Sequence, residues 1–228
     1  MPSLRVLTYN VRSMRDDRDA LGRVIRSAEP DVVLVQESPR FARWRSLCAE
    51  LARRSNLVVV TGGRYAGSNL VLSSLAVDVV STADVLFTRD PRLHRRGTAL
   101  AVLTKQGNRF AVAGTHLDLV SEPRLRHVGE LEAAIDHHVS VDIATIVAGD
   151  VNDQPGSAVW SALTTRRLDA FAIAGTGSPF TSSARDPRRR IDAIFVDPRI
   201  TVTGARVLDQ PDAIAASDHR PVLAELEL

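Results

Sequence analysis

The run Ile143-Ala144-Thr145-Ile146-Val147-Ala148-Gly149-Asp150-Val151-Asn152 is apolar for most of its length, then ends in a carboxylate and an amide two residues apart. Its Val/Ile content predicts a strand over Ile143–Ala148. Read alone, Gly-Asp-x-Asn is also an ordinary turn, because Gly and Asn tolerate positive φ and Asp closes an Asx-turn. Repetition changes its meaning. Leu7-Thr8-Tyr9-Asn10 ends a strand in an amide, Val32-Val33-Leu34-Val35-Gln36-Glu37 in a carboxylate, and Val112-Ala113-Gly114-Thr115-His116 in an imidazole. Toward the C-terminus, Arg190-Ile191-Asp192-Ala193-Ile194-Phe195-Val196 and Ala216-Ser217-Asp218-His219-Arg220-Pro221-Val222 again join apolar runs to carboxylates and an imidazole. Six such segments make coincidence a poor explanation.

Working outward, β-rich runs are predicted at Leu4–Asn10, Asp31–Gln36, Leu57–Thr61, Asn69–Leu72, Val77–Phe87, Thr98–Thr104, Arg109–Thr115, Ile143–Ala148, Ile191–Val196, Ile200–Leu208 and Pro221–Leu226. Helical periodicity falls at Asp19–Ala28, Phe41–Ala52 and Glu122–His138. Strands outnumber helices and the helices lie among the early and middle strands. This inventory fits two packed sheets with helices on their outer faces. The 228 residues contain no linker, repeat or low-complexity tract, so one domain over residues 1–228 is expected.

Composition narrows the function. Hydrophobic residues make up 44% and charged residues 25%, a globular balance that excludes a disordered chain. No apolar run approaches the roughly 20 residues of a membrane-spanning helix. The start, Met1-Pro2-Ser3-Leu4-Arg5-Val6, reads directly into a strand without a secretory leader, so a cytoplasmic protein is expected. The single Cys48 excludes an intrachain disulfide and any multi-cysteine metal site. Net charge is only +2, which demands no nucleic-acid partner, yet Lys105 is the lone lysine among 29 basic residues. Arginine's planar fork matches phosphate oxygens. Two arginine-rich segments, Thr88–Arg96 and Arg185–Arg190, read as solvated loops that could also rim a cleft.

Carboxylates, amides and imidazoles at strand ends suit a hard cation such as Mg²⁺, which takes oxygen ligands and a substrate phosphate. Phosphate-ester hydrolysis further needs an oriented water and hydrogen-bond donors for the phosphate oxygens. Gly-x-Ser-x-Gly and the Gly-x-x-x-x-Gly-Lys phosphate loop are both missing, which argues against a serine nucleophile or a nucleotide-triphosphate switch.

In this order the segments Thr8-Tyr9-Asn10-Val11, Gln36-Glu37-Ser38, Gly114-Thr115-His116-Leu117, Gly149-Asp150-Val151-Asn152, Arg190-Ile191-Asp192-Ala193-Ile194-Phe195 and Ser217-Asp218-His219-Arg220-Pro221-Val222 resemble the endonuclease/exonuclease/phosphatase superfamily of metal-dependent phosphoesterases. The likeness runs from residue 8 to residue 222. It implies an α/β fold, a four-layer α/β/β/α sandwich of two mixed sheets with outer helices, and a site at one end of the sheets. It also implies Mg²⁺ or Mn²⁺ as cofactor. Glu37 resembles the principal metal ligand, with Asn10 beside it in the metal and phosphate shell and Asp218 as an additional or water-mediated ligand. Asp150 resembles the carboxylate that orients or deprotonates water, and Asn152 its partner. His219 would contact the scissile phosphate with Asp192 bonded to its ring, and His116 would donate a second hydrogen bond.

The subfamily signatures do not carry over. Arg12 stands where abasic-site endonucleases carry Asp, and Asp192-Ala193 where they tend to have Asp-Tyr. The Cys-Asp-Arg motif of inositol 5-phosphatases, the aromatic hairpin of secreted sphingomyelinases and the disulfides of secreted deoxyribonucleases all lack counterparts. The expectation is therefore a phosphodiesterase, nuclease-like, acting on a phosphate ester that could be nucleic acid. A phospholipid or small phosphoester is the alternative, and a non-catalytic binding protein a third reading. Asn69 is a further candidate for the cleft. His127, His137 and His138 read as a polar helical face, and Trp44, Trp160 and Cys48 as packing residues.

Overall fold

A computed structural model describes residues 2–228. The chain runs through β1 (Ser3–Asn10), α1 (Arg18–Ser27), β2 (Val32–Gln36), α2 (Trp44–Arg54), β3 (Val58–Gly63) and β4 (Asn69–Ser73). The middle comprises β5 (Asp78–Leu86), β6 (Gly97–Lys105), β7 (Asn108–His116), α3 (Ser121–His138) and β8 (Ala144–Asp150). The last third comprises α4 (Ala158–Thr164), β9 (Leu168–Asp169), α5 (Ala170–Ala174), β10 (Gly175–Thr176), β11 (Asp192–Val196), β12 (Thr201–Val207), α6 (Pro211–Ala216) and β13 (Val222–Glu227).

Seven strands form one sheet in the order β10-β12-β13-β1-β2-β4-β3, and six form the other in the order β5-β6-β7-β8-β11-β9. Both are mixed: β1 pairs parallel with β2 and antiparallel with β13, and β8 pairs parallel with β7 and antiparallel with β11. Alternation along each strand sorts apolar residues into three layers. Leu4, Val6, Leu34, Val112, Ile146, Ala148, Ile194 and Ala224 fill the space between the sheets. Leu7, Tyr9, Val33 and Leu223 face outward, under Leu21 and Ile25 of α1, Leu51 of α2 and Ala213 of α6. Leu100, Val147 and Phe195 face the other way, under Leu131 of α3 and Trp160 of α4. The result is the α/β/β/α sandwich, with each fully buried Leu or Ile contributing roughly 1.5–3 kcal/mol.

Helix boundaries follow local chemistry. Asp17 caps α1 by accepting the Asp19 and Ala20 N–H groups. The periodicity over Phe41–Ala52 materialises only from Trp44, because Arg43 sits in the left-handed region at φ 59°. The short elements α4, α5, α6, β9 and β10 were not anticipated. His127 departs from the expected polar face: it is buried, stacked on Phe87 at 5.3 Å, with Nε2 3.2 Å from the Thr88 carbonyl. Among the described residues no helix is long and apolar enough to cross a membrane.

The same alternation positions the site. On β7, β8 and β11 the residues facing the other sheet are Val112-Gly114-His116, Ile146-Ala148-Asp150 and Val196-Ile194-Asp192. Strand register sets His116 beside Asp150 and Asp150 beside Asp192. On β1, facing them, the inward row Leu4-Val6-Thr8 ends at Asn10, paired with Gln36 next to Glu37. The polar residues are thus the last rung of the inter-sheet core. Gly149 permits this rung to close, since a Cβ there would lie 1.8 Å from the Thr115 carbonyl oxygen.

Candidate active site

At this end of the sandwich lies a cavity of about 470 Å³ lined by Glu37, His116, Asp150, Asn152, Asp218 and His219, with Arg40, Arg96, Ser182 and Arg189 among its other walls. Asn10 and Asp192 lie buried behind it and touch its lining. The eight residues singled out from the sequence therefore converge on one place, although they span more than two hundred positions.

Asp150 is the hub. Its Oδ2 accepts from Asn10 Nδ2 at 3.1 Å and lies 3.4 Å from His116 Nε2 and 3.8 Å from His219 Nε2. Its Oδ1 accepts the Asn152 N–H at 3.0 Å, and Asn152 in turn donates Nδ2 to the Leu117 carbonyl at 3.0 Å. Asn152 holds this position in a left-handed conformation, φ 50°, as does Glu37 at φ 51°. Non-glycine residues in that region carry a strain cost and gather at functional sites. Burial, then the neighbouring Asp192, pushes the Asp150 carboxyl up to about 7.

Asp192 is anchored from behind, its backbone N–H donating to Thr181 Oγ1 at 3.3 Å. Its Oδ2 lies 2.8 Å from His219 Nδ1, and its buried Oδ1 has no hydrogen-bond partner among the described residues. Burial works against a charged His219, but Asp192 and Asp150 outweigh it and raise the imidazole to about 10. His116 goes the other way. Burial and then the Arg96 cation hold it well below its ordinary value, so it is neutral. Two adjacent imidazoles thus carry different charges.

Asn10 turns its amide nitrogen to both carboxylates, donating to Glu37 Oε1 at 3.3 Å as well as to Asp150, while its oxygen accepts the Arg12 N–H at 3.1 Å. It clamps the acidic groups rather than presenting oxygen to the cavity. Asp218 sits half-exposed at the rim, its Oδ2 3.4 Å from Arg12 Nε. Ser217 ties this loop to β1, donating Oγ to the Asn10 carbonyl at 2.7 Å.

A divalent cation suits this donor set. Asp150, Asp192 and His219 offer ligand atoms within 4.8 Å of one another. Glu37 lines the same cavity and adds a carboxylate oxygen, the hard donor that such an ion prefers.

Other candidates resolve structurally. Arg96 is buried in the cavity wall, with Nε 3.7 Å from Asp118 Oδ2, rather than standing on a solvated rim. Asp118 follows His116 by two residues on the sequence, a proximity that could have flagged it. Arg189 reaches the cavity, whereas Arg190 is buried, paired with Asp169 and stacked at 5.0 Å on Trp160. Asn69 is a brace, donating to the Ala66 and Gly97 carbonyls at 2.7 and 2.9 Å.

The sequence profile of the Endonuclease/Exonuclease/phosphatase family matches residues 7–219. No curated protein matches the chain. Among solved structures, an endonuclease/exonuclease/phosphatase from Bacteroides vulgatus superposes with a TM-score of 0.85 at 23% identity, covering 100% of both chains. A mannosyl-6-phosphatase of Bacteroides thetaiotaomicron gives 0.85 at 17% identity, covering 99% of this chain and 100% of the other. TDP2 of D. rerio, complexed with single strand DNA product, gives 0.78 at 17% identity and covers 100% of both.

Proposed function

Because the chain belongs to the Endonuclease/Exonuclease/phosphatase family, we propose that it is a divalent-metal-dependent phosphoester hydrolase, a phosphodiesterase of nuclease type, built as one domain over residues 1–228. The observation that carries this reading is the Asp192–His219–Asp150 cluster, at 2.8 and 3.8 Å, sharing a cavity with Glu37.

Asp150, with a carboxyl raised to about 7, is matched to accepting a proton from water near neutral pH. Water oxygen bonds to phosphorus, the ester oxygen leaves with the bonding pair, and the water proton passes to Asp150. Asn152 holds Asp150 by its N–H. His219 donates from Nε2 to a non-bridging phosphate oxygen, its charge maintained by Asp192 at Nδ1, and neutral His116 donates a second hydrogen bond. Glu37 would hold Mg²⁺ or Mn²⁺, with Asn10 fixing the Glu37 carboxylate and Asp218 at the outer edge. When bound, the ion would supply Lewis-acid neutralisation of charge on the phosphate. A cytoplasmic setting accords with the one free cysteine, Cys48, which is buried.

A second reading, a small phosphomonoester or a phospholipid, draws on the modest 470 Å³ of the site cavity. The test is titration calorimetry with Mg²⁺ and Mn²⁺, beside turnover of DNA, RNA, phospholipid and sugar phosphate. Metal binding lost in Glu37→Gln, with metal-dependent turnover of a phosphodiester by the parent protein, is expected. Equal metal affinity in the two proteins would reject the ligand assignment.

A further inference from the structure

Beside the catalytic cavity runs a larger groove of about 710 Å³. The two share Arg40, Phe41, Gly67, Ser68 and His94, so a ligand can pass from one into the other. Arg43, Arg64, Arg89 and Arg95 line the groove alone, all four exposed, and no Asp or Glu lines it. Among the described residues none of these four makes a salt bridge or a side-chain hydrogen bond. Elsewhere Arg23, Arg54, Arg166 and Arg199 each hold a carboxylate. In a chain of net charge +2, this concentrates uncompensated positive charge on one face.

Aromatic rings accompany the charge. Phe41, which lines the groove, is 71% exposed, and Tyr65, outside the lining, is 54% exposed. Tyr65 meets Trp44 edge-on at 5.9 Å, and the Arg45 guanidinium lies 4.4 Å over Trp44. The groove wall is set by backbone contact: a Cβ at Gly67, φ +66°, would lie 2.6 Å from the Gly97 nitrogen. Four unpaired guanidinium groups exceed what one phosphate requires, and the exposed Phe41 ring offers a stacking face to an unpaired base. Neither feature serves a sugar phosphate.

The geometry points to a single-strand nucleic-acid groove, in which Arg43, Arg64, Arg89 and Arg95 hold backbone phosphates on one side of the scissile bond and Phe41 stacks a base. This rests on the hydrolase reading for where the scissile phosphate lies, but the binding it asserts is measurable without catalysis.

The test is fluorescence anisotropy with a labelled oligothymidylate of about twelve nucleotides in chelator, titrated with salt. The comparison is the parent protein against Arg43→Ser/Arg89→Ser/Arg95→Ser, and each protein is also assayed on bis(p-nitrophenyl) phosphate with Mg²⁺. The triple variant should bind the oligonucleotide at least about tenfold more weakly, with a flatter salt dependence, and hydrolyse the small diester at the parent rate. Phe41→Ala should weaken binding without changing the salt slope. Oligonucleotide binding unchanged in the triple variant overturns the groove and leaves the hydrolase reading standing. Arginine-dependent binding without turnover of any phosphoester supports the groove and removes the hydrolase. Capture of phosphatidylserine vesicles through these arginines, without oligonucleotide binding, also overturns the proposal.

Discussion

Asp192 gives one carboxylate oxygen to His219 and leaves the other without a partner in a buried wall. Such an arrangement is costly unless the imidazole is charged, and the charge is what a phosphate oxygen can use. Removing the carboxylate while keeping its shape isolates this effect. In Asp192→Asn the His219 imidazole falls from about 10 toward its ordinary value. The alkaline limb of the pH–rate profile should then move to lower pH by a unit or more. A profile identical to the parent's would mean that the proton on His219 plays no part in turnover. At this scale the sequence was informative because each candidate residue stands at or beside one end of an apolar strand, closing it as Asn10, His116 and Asp150 do or leading into it as Asp192 and His219 do, a pattern visible without coordinates. What it could not reveal was orientation. Nothing in Thr8-Tyr9-Asn10-Val11-Arg12 says that the Arg12 N–H takes the Asn10 oxygen and turns the nitrogen to Glu37 and Asp150.

At the scale of elements, the site depends on β7 and β8 lying close enough for their last residues to share a rung. Gly149 is the position at which this closeness is most exposed to disruption. A methyl group there would overlap the Thr115 carbonyl, so Gly149→Ala must push the two strands apart. Overpacking of this kind costs about 1–3 kcal/mol, and here it displaces His116 and Asp150 directly. Urea denaturation should show that loss, accompanied by a fall in activity larger than stability alone explains. Unchanged stability and activity would contradict the strand contact. The long strands and α1 were legible because each carries several turns or alternations of pattern. The two-residue strands β9 and β10 carry no period, and α6, six residues opened by Pro211, has too few positions to show one. Arg190 looked like part of a solvated run. It is buried because Asp169, twenty-one residues earlier, accepts its guanidinium, a partnership that local sequence does not encode.

Across the whole molecule the buried acid and base groups tie stability to pH. The Asp150 carboxyl is raised from 3.8 to about 7, so the stability this reflects is full at low pH and is lost as pH rises through about 7. His219 is raised from 6.5 to about 10, so its contribution is full below about 6.5 and is lost as pH rises through about 10. In chelator, calorimetric melting temperature should therefore decline between pH 6 and pH 10, and Mg²⁺ should recover part of it at pH 8. A melting temperature that climbs over that range would contradict the burial of these groups in the folded protein. Under the proposed function, stability and catalysis then oppose each other, as expected of a site whose carboxylates would hold a cation.

The most direct test of the account is the Mg²⁺-dependent hydrolysis of a phosphodiester by the parent protein and by Glu37→Gln, with melting temperature measured in parallel. Turnover that requires Mg²⁺ in the parent and falls by at least about a hundredfold in Glu37→Gln, with both proteins folded, is the predicted result. Turnover that survives the substitution undiminished at saturating Mg²⁺ would contradict it.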